Sequence, residues 1–334
     1  MKKLLALVST LFFSSLLLAQ STPISVTVGE MPAPEKVEKI ISAGNPTDVV
    51  LLAVAPEKLA GLAGFRMNSP AGKFFPESFQ KLETLGKVSG KNSTLSPEKI
   101  LALNPNLIID IGNISPNYID QAHKTQAQTQ IPYVLLDGNL TRTPELLHEI
   151  GKLIGKSAET EKLANYAEET LQQAVTLAPN FAKTAYLARG ADGLETGFVG
   201  SIHTQSLELA GVRNVAVGDH KGLSKVSMEQ ILLWNPEIIF TQYPEFYQKV
   251  WTDPQWQALD AVKQKKVYLI PNKPFGWLDS PPSLNRLLGI KWLQHLLAGN
   301  APEAFVPEIQ QFYKLFYHIE LSPTQAEALI KGNK

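Results

Sequence analysis

One fourteen-residue segment occurs twice in this 334-residue chain, and that duplication constrains the architecture more than any other feature. Ser96-Pro-Glu-Lys-Ile-Leu-Ala-Leu-Asn-Pro-Asn-Leu-Ile-Ile109 aligns without gaps on Ser227-Met-Glu-Gln-Ile-Leu-Leu-Trp-Asn-Pro-Glu-Ile-Ile-Phe240. The identical pairs are Ser96/Ser227, Glu98/Glu229, Ile100/Ile231, Leu101/Leu232, Asn104/Asn235, Pro105/Pro236 and Ile108/Ile239. Each copy reads the same way. The serine caps a short helix, the glutamate faces the positive end of its dipole, Asn-Pro ends it, and the apolar run is the next strand. Part of the likeness is grammar that any helix-turn-strand unit shares, but one common register favours two equivalent halves. Between the copies runs Ser157–Leu177, rich in Ala, Glu and Leu and free of internal Gly or Pro. It predicts one long helix, with Ser157 available as its cap.

Short apolar strands alternate with helical stretches on both sides of that helix. Asn106–Ile111 and Tyr133–Leu136 read as buried strands in the first half, with a helix over Thr47–Ala55 opened by Asn45-Pro46. Thr184–Ala188, Glu237–Thr241 and Lys266–Ile270 read as strands in the second half, with a helix over Thr204–Ala210. Continuous apolar strands alternating with helices predict α/β halves with parallel sheets covered on both faces. The expected division is residues 1–21, 22–155, 156–180 and 181–334: leader, first lobe, linker helix, second lobe. Ligands of open α/β sheets sit beyond the carboxyl ends of the strands, so two such halves predict a cleft between them.

Charge and cysteine content narrow the function. Lys plus Arg number 31 against 31 Asp plus Glu, which argues against a nucleic-acid partner. The chain has no cysteine, so it has no thiol nucleophile, cysteine-ligated metal, disulfide or lipid-anchoring cysteine. At the N-terminus Lys2 and Lys3 precede an apolar run from Leu4 to Leu18, then Ala19-Gln20-Ser21. The run is shorter than the about 20 residues a bilayer span needs, so the expectation is a cleaved secretory signal and a freely diffusing periplasmic protein.

Candidate binding groups follow from the strand–loop arrangement. Arg189 comes directly after the strand Thr184–Ala188 and can fork onto an acidic ligand group, or pair with Asp192 or Glu195. The loop Gly64-Phe-Arg-Met-Asn-Ser-Pro70 offers Arg66 and Asn68, and Arg142 also falls on a loop expected at the cleft. Trp277, in the Pro-rich stretch Pro274-Phe-Gly-Trp-Leu-Asp279, and Tyr243, after the strand ending at Thr241, are candidates to cover apolar parts of a ligand. The six histidines are scattered with no pair at ligand spacing, and only His203 lies near the expected cleft. No nucleophile elbow, P-loop, His-Glu-x-x-His or dinucleotide fingerprint is present, so no enzyme chemistry, resident metal or cofactor is expected.

Several segments together resemble the periplasmic substrate-binding proteins of ATP-driven importers for iron-siderophore, haem, cobalamin and related metal complexes. They are Lys39-Ile-Ile-Ser-Ala-Gly44, Leu85-Gly-Lys87, the two glutamate-bearing repeats, Trp256-Gln-Ala-Leu-Asp-Ala-Val-Lys-Gln-Lys-Lys-Val-Tyr268 and Pro274–Gly289. Gly193-Leu-Glu-Thr-Gly197 and Pro281-Pro-Ser-Leu-Asn-Arg286 are similar to a subgroup assigned to nickel complexes and to molybdate or tungstate. That subgroup commonly has Arg where this chain has Ser280, which weakens the expectation of a strongly anion-selective pocket. The resemblance implies two Rossmann-like lobes joined by one long helix, with the ligand between them. It also implies that Glu98 and Glu229 dock onto the membrane permease of the importer. The functional expectation is a monomeric carrier for a metal chelate. The alternatives are a molybdate or tungstate carrier of the same importer type and, from another class, a periplasmic hydrolytic enzyme.

Overall fold

A computed structural model describes residues 22–90, 93–219 and 222–331. The leader expected at 1–21 lies outside the described residues. The first half is built on a five-stranded sheet of β1 (Ser25–Val28), β2 (Ile40–Ser42), β3 (Leu59–Gly61), β4 (Leu107–Gly112) and β5 (Tyr133–Asp137), in the order β1-β5-β4-β2-β3. Only β1 runs antiparallel to its neighbour; the other pairings are parallel. In the second half β6 (Thr184–Ala188) is followed by β7 (Glu195–Gly197), β8 (Arg213–Asn214), β9 (Leu223–Lys225), β10 (Ile238–Thr241) and β11 (Val267–Leu269). Four of these make a parallel sheet ordered β11-β10-β6-β8, while β7 and β9 form a separate antiparallel ribbon. The α/β architecture with parallel cores is the one the sequence predicts.

The duplicated segment folds alike in both halves. Ser96 Oγ accepts the Lys99 N–H and Ser227 Oγ the Gln230 N–H, so both helices, Pro97–Leu103 and Met228–Trp234, are serine-capped. Asn104 and Asn235 end them in the left-handed region, at φ 48° and 37°. Each helix then delivers the chain to a central strand, β4 or β10.

The long helix spans Ser157–Leu177, as the composition predicts, but Ser157 is its first helical residue and does not cap it; Lys156 holds the cap position without a side-chain bond. The helix Thr143–Ile154 lies along it, and Gly151 permits the approach, since a Cβ there would sit 2.1 Å from Thr160 Oγ1. Helix Asn285–Leu297 packs on the other flank, where Gln294 Nε2 donates to the Ala174 carbonyl at 3.0 Å. The chain then crosses back: helix Val306–Tyr317 rests on the first-half helix Asn45–Val54, and Tyr317 packs edge-on against Phe75. Both halves therefore share one continuous apolar core. Among the described residues no helix is long and apolar enough to cross a membrane.

Candidate functional site

Strand order locates the site. In the first sheet the chain leaves β2 toward β3 on one side and β4 toward β5 on the other. In the second sheet β6 leads to β8 and β10 leads to β11 in opposite directions. Such switch points open a crevice at the carboxyl ends of the central strands. A cavity of about 680 Å³ lies there, lined from the first half by residues 44–46, 64–65, 87, 89–90 and 110–113. The second half contributes Arg189, Ile202, His203, Leu223 and residues of the 274–282 loop.

Two buried aspartates organise the first wall. Asp48, in helix Asn45–Val54, accepts the Ser42 hydroxyl at 2.6 Å and the backbone N–H groups of Ala63, Gly64 and Phe65 at 2.7, 3.0 and 3.1 Å. It thereby fixes the loop that brings Phe65 to the cavity, where Phe65 meets Phe275 of the opposite wall at 4.8 Å between ring centroids. Asp110, near the end of β4, accepts the Tyr133 hydroxyl at 2.8 Å. Burial pushes both carboxyls above the usual range, and their hydrogen bonds offset that only in part.

The second wall is an interlocked set. Gln242, directly after β10, accepts the N–H groups of Leu278 and Asp279 and donates to the Asp279 carbonyl, fixing that loop. The fully buried Asp279 carboxylate pairs with the Arg189 guanidinium, and Glu195 takes the Arg189 Nε at 3.4 Å. His203 Nδ1 lies 2.9 Å from Asp279 Oδ1. Burial first, then the Arg189 and Arg286 charges, push the His203 pKa down to about 3. Asp279 pulls the other way, but Arg189 already neutralises it, so the imidazole stays uncharged at neutral pH.

Arg286 stands behind this wall. It is buried and donates to four neutral acceptors: the carbonyls of Ile202, Gly138 and Ser283 and the Gln205 side-chain oxygen. With no carboxylate partner, its burial lowers its pKa to about 9. Because Gly138 belongs to the first half and Ile202 adjoins His203, Arg286 stitches the two halves together behind the cavity.

The predicted residues separate accordingly. Arg189 and His203 line the cavity. The guanidinium of Arg189 is already engaged by Asp279 and Glu195, and Glu195 is one of the two nearby acids that the sequence offers it. Tyr243 lies beneath that guanidinium, 5.8 Å from ring centroid to Cζ, and supports the wall from behind. Trp277 does not reach the cavity: it is fully buried against Trp292 and Phe305, because the neighbouring Phe275 takes the cavity-facing position of that loop. Arg66 and Asn68 are exposed on a loop that lends Gly64 and Phe65 to the cavity and buries Met67 in the core. Arg142 is tied to Asp137 and Glu145 on the outside. Glu98 and Glu229 are exposed at the starts of the two repeated helices. Their carboxyls are held below the usual range, Glu98 chiefly by the Ser96 hydroxyl and Glu229 chiefly by its own backbone N–H.

Sequence reasoning did not single out Asp110, Gln242, Phe275 or Asp279. Asp110 carries a visible signal, a lone acid inside the apolar strand Leu107-Ile-Ile-Asp-Ile-Gly112. Among the described residues no cluster of three or more His, Asp or Glu is placed to hold a metal ion by itself.

Comparison with known proteins gives a consistent answer. Residues 40–274 match the family model described as periplasmic binding protein. The molybdate-binding protein MolA of Haemophilus influenzae is 28% identical over 293 residues, covering 76% of this chain and 79% of that protein. An ABC transporter solute-binding protein from Sulfurospirillum deleyianum superposes with a TM-score of 0.80 at 32% identity, covering 89% of this chain and 95% of that one. Helicobacter pylori CeuE in a nickel–histidine complex has the same fold, with a TM-score of 0.68 at 19% identity over 92% of this chain and 99% of that one.

Proposed function

Because this chain belongs to the periplasmic binding protein family, we propose that it captures a metal chelate in its cavity and delivers it to an ATP-driven importer of the inner membrane. Its relatives are solute-binding proteins of ABC transporters and not enzymes. The observation that carries the ligand class is His203. A carboxylate only accepts hydrogen bonds, so the neutral imidazole must place its proton on Nδ1, toward Asp279. The lone pair is then on Nε2, which has no hydrogen-bond partner among the described residues, on a side chain that lines the cavity. An imidazole oriented by a carboxylate through its other nitrogen is the arrangement that supports metal ligation. One such nitrogen does not build a metal site, so the metal arrives already chelated and His203 fills a vacant coordination position.

Molybdate or tungstate capture is the second reading, and it draws on the Haemophilus relative. Here the Arg189 guanidinium, which lines the second wall, is already paired with Asp279 and Glu195, and Ser280 adds no cation, so that wall offers a free oxyanion no unpaired guanidinium at the cavity surface. The protein acts as a periplasmic monomer after removal of residues 1–21, with residues 22–155 and 181–334 forming the two walls on either side of the 156–180 linker. The last helices of the second segment brace the first wall. Glu98 and Glu229 present one carboxylate per half to the permease.

A thermal-shift and tryptophan-fluorescence screen with ferric siderophores, haem, cobalamin and nickel–histidine tests the reading. One chelate raises the melting temperature by mass action, and His203→Ala weakens that chelate's binding. A response to molybdate with none to any chelate establishes the second reading instead.

A further inference from the structure

We infer that Asp110 is the docking point for N–H donors of an amine-bearing metal chelate, so that the cleft selects amino-acid-type complexes over acceptor-only oxyanions. The inference rests on the capture reading and names its ligand class. Asp110 lies where the first sheet switches direction and lines the cavity at 3% exposure. Three buried carboxylates shape this site, and they are provided for unequally. Asp279 has Arg189 and His203, and Asp48 accepts four donors at 2.6–3.1 Å. Asp110 has one close donor, the Tyr133 hydroxyl at 2.8 Å, with the Ser89 hydroxyl and the Ile111 N–H nearby, the latter donating to Thr47 Oγ1, and no ion pair among the described residues. Lys87 lines the same wall without pairing with it. An ionised carboxylate accommodates about four donors, and a desolvated one without a cation or a full donor set is costly. A bound molecule reaches Asp110 through the cavity and supplies what the protein does not.

The opposite wall has the complementary imbalance. Arg286 is a buried cation with only neutral acceptors, standing behind His203. The ligand that fits is therefore dipolar, with donors toward Asp110 and acceptors toward the Arg286 side. In a metal–amino-acid chelate the coordinated amines present polarised N–H groups and the carboxylates present acceptors. Molybdate at neutral pH presents acceptors only and so has no donor to offer the Asp110 oxygens.

The test compares binding of nickel–histidine and nickel–N,N-dimethylhistidine, which lacks the N–H groups, to the mature protein, to Asp110→Asn and to Asp110→Leu by calorimetry. A ferric tris-catecholate, also free of N–H donors at the metal, serves as a third probe. We expect the wild type to favour nickel–histidine over its dimethyl analogue at least about tenfold, and the preference to shrink in Asp110→Asn, which keeps one neutral acceptor, and to vanish in Asp110→Leu, which keeps none. Should neither variant fold, the wild-type comparison of nickel–histidine with the N-monomethyl and N,N-dimethyl complexes decides, through a stepwise loss for each N–H removed. Equal affinities for the donor-bearing and donor-free nickel complexes overturn the inference. Binding of the tris-catecholate alone overturns it and leaves chelate capture standing, whereas binding of none of the three probes while molybdate binds overturns both.

Discussion

Acid titration of folding stability gives a quantitative check on the state of His203. Its folded pKa is about 3, below the ordinary 6.5, so the folded protein takes up this proton far less readily than the unfolded chain. The contribution is fully present above 6.5 and is lost as the pH falls toward 3. Between pH 7.5 and pH 5 the loss amounts to about 2 kcal/mol, from 1.36 kcal/mol per pH unit over roughly one and a half units. Asp48 and Asp110 shift in the opposite sense, because their raised pKa values favour the folded state as the pH falls. A His203→Asn variant isolates the histidine, since it keeps both aspartates and offers an amide N–H toward Asp279. The assay is urea unfolding of both proteins at pH 7.5 and pH 5. The wild type should lose about 2 kcal/mol more than the variant. Equal losses would refute the argument, because they would place the folded-state pKa of His203 at its ordinary value.

Other parts of the structure make separate demands. Trp277→Ala should cost about 3–5 kcal/mol in urea unfolding, because the indole is fully buried against Trp292 and Phe305. Its effect on ligand affinity in the folded fraction should be small, and a large affinity loss without destabilisation would return Trp277 to the site. Gly289→Ala should also destabilise, by about 1–3 kcal/mol, since its Cβ would lie 1.9 Å from the Trp277 carbonyl oxygen. Glu98→Ala and Glu229→Ala should leave chelate affinity intact while reducing uptake in a reconstituted transport assay; normal transport with lost affinity contradicts the docking assignment.

What the sequence made legible was local and repetitive. Helix Ser157–Leu177 and strand Thr184–Ala188 match their predicted bounds because Ala/Glu/Leu composition and a short apolar run are intrinsic signals. The duplicated segment showed its caps and its stops, Ser96/Ser227 and Asn104/Asn235, because each acts on backbone within a few residues. The ribbon of β7 and β9 went unread, since Glu195–Gly197 and Leu223–Lys225 are three-residue strands paired across a long loop. At the site, Arg189 is legible because it stands at the carboxyl end of a strand, and His203 because it is the one histidine near the loop that follows. Phe275 and Trp277 share one loop and are both aromatic, and only tertiary packing decides which faces the cavity. Asp279 has no local mark, because its partners Arg189, His203 and Gln242 come from distant parts of the chain.

Native mass spectrometry with metal analysis, on the protein purified from its own cells, tests chelate capture most directly. The account predicts one protein bound to one transition metal together with an organic chelator, the whole adduct released by His203→Ala. A protein carrying bare molybdate or tungstate, with no chelator, would contradict it.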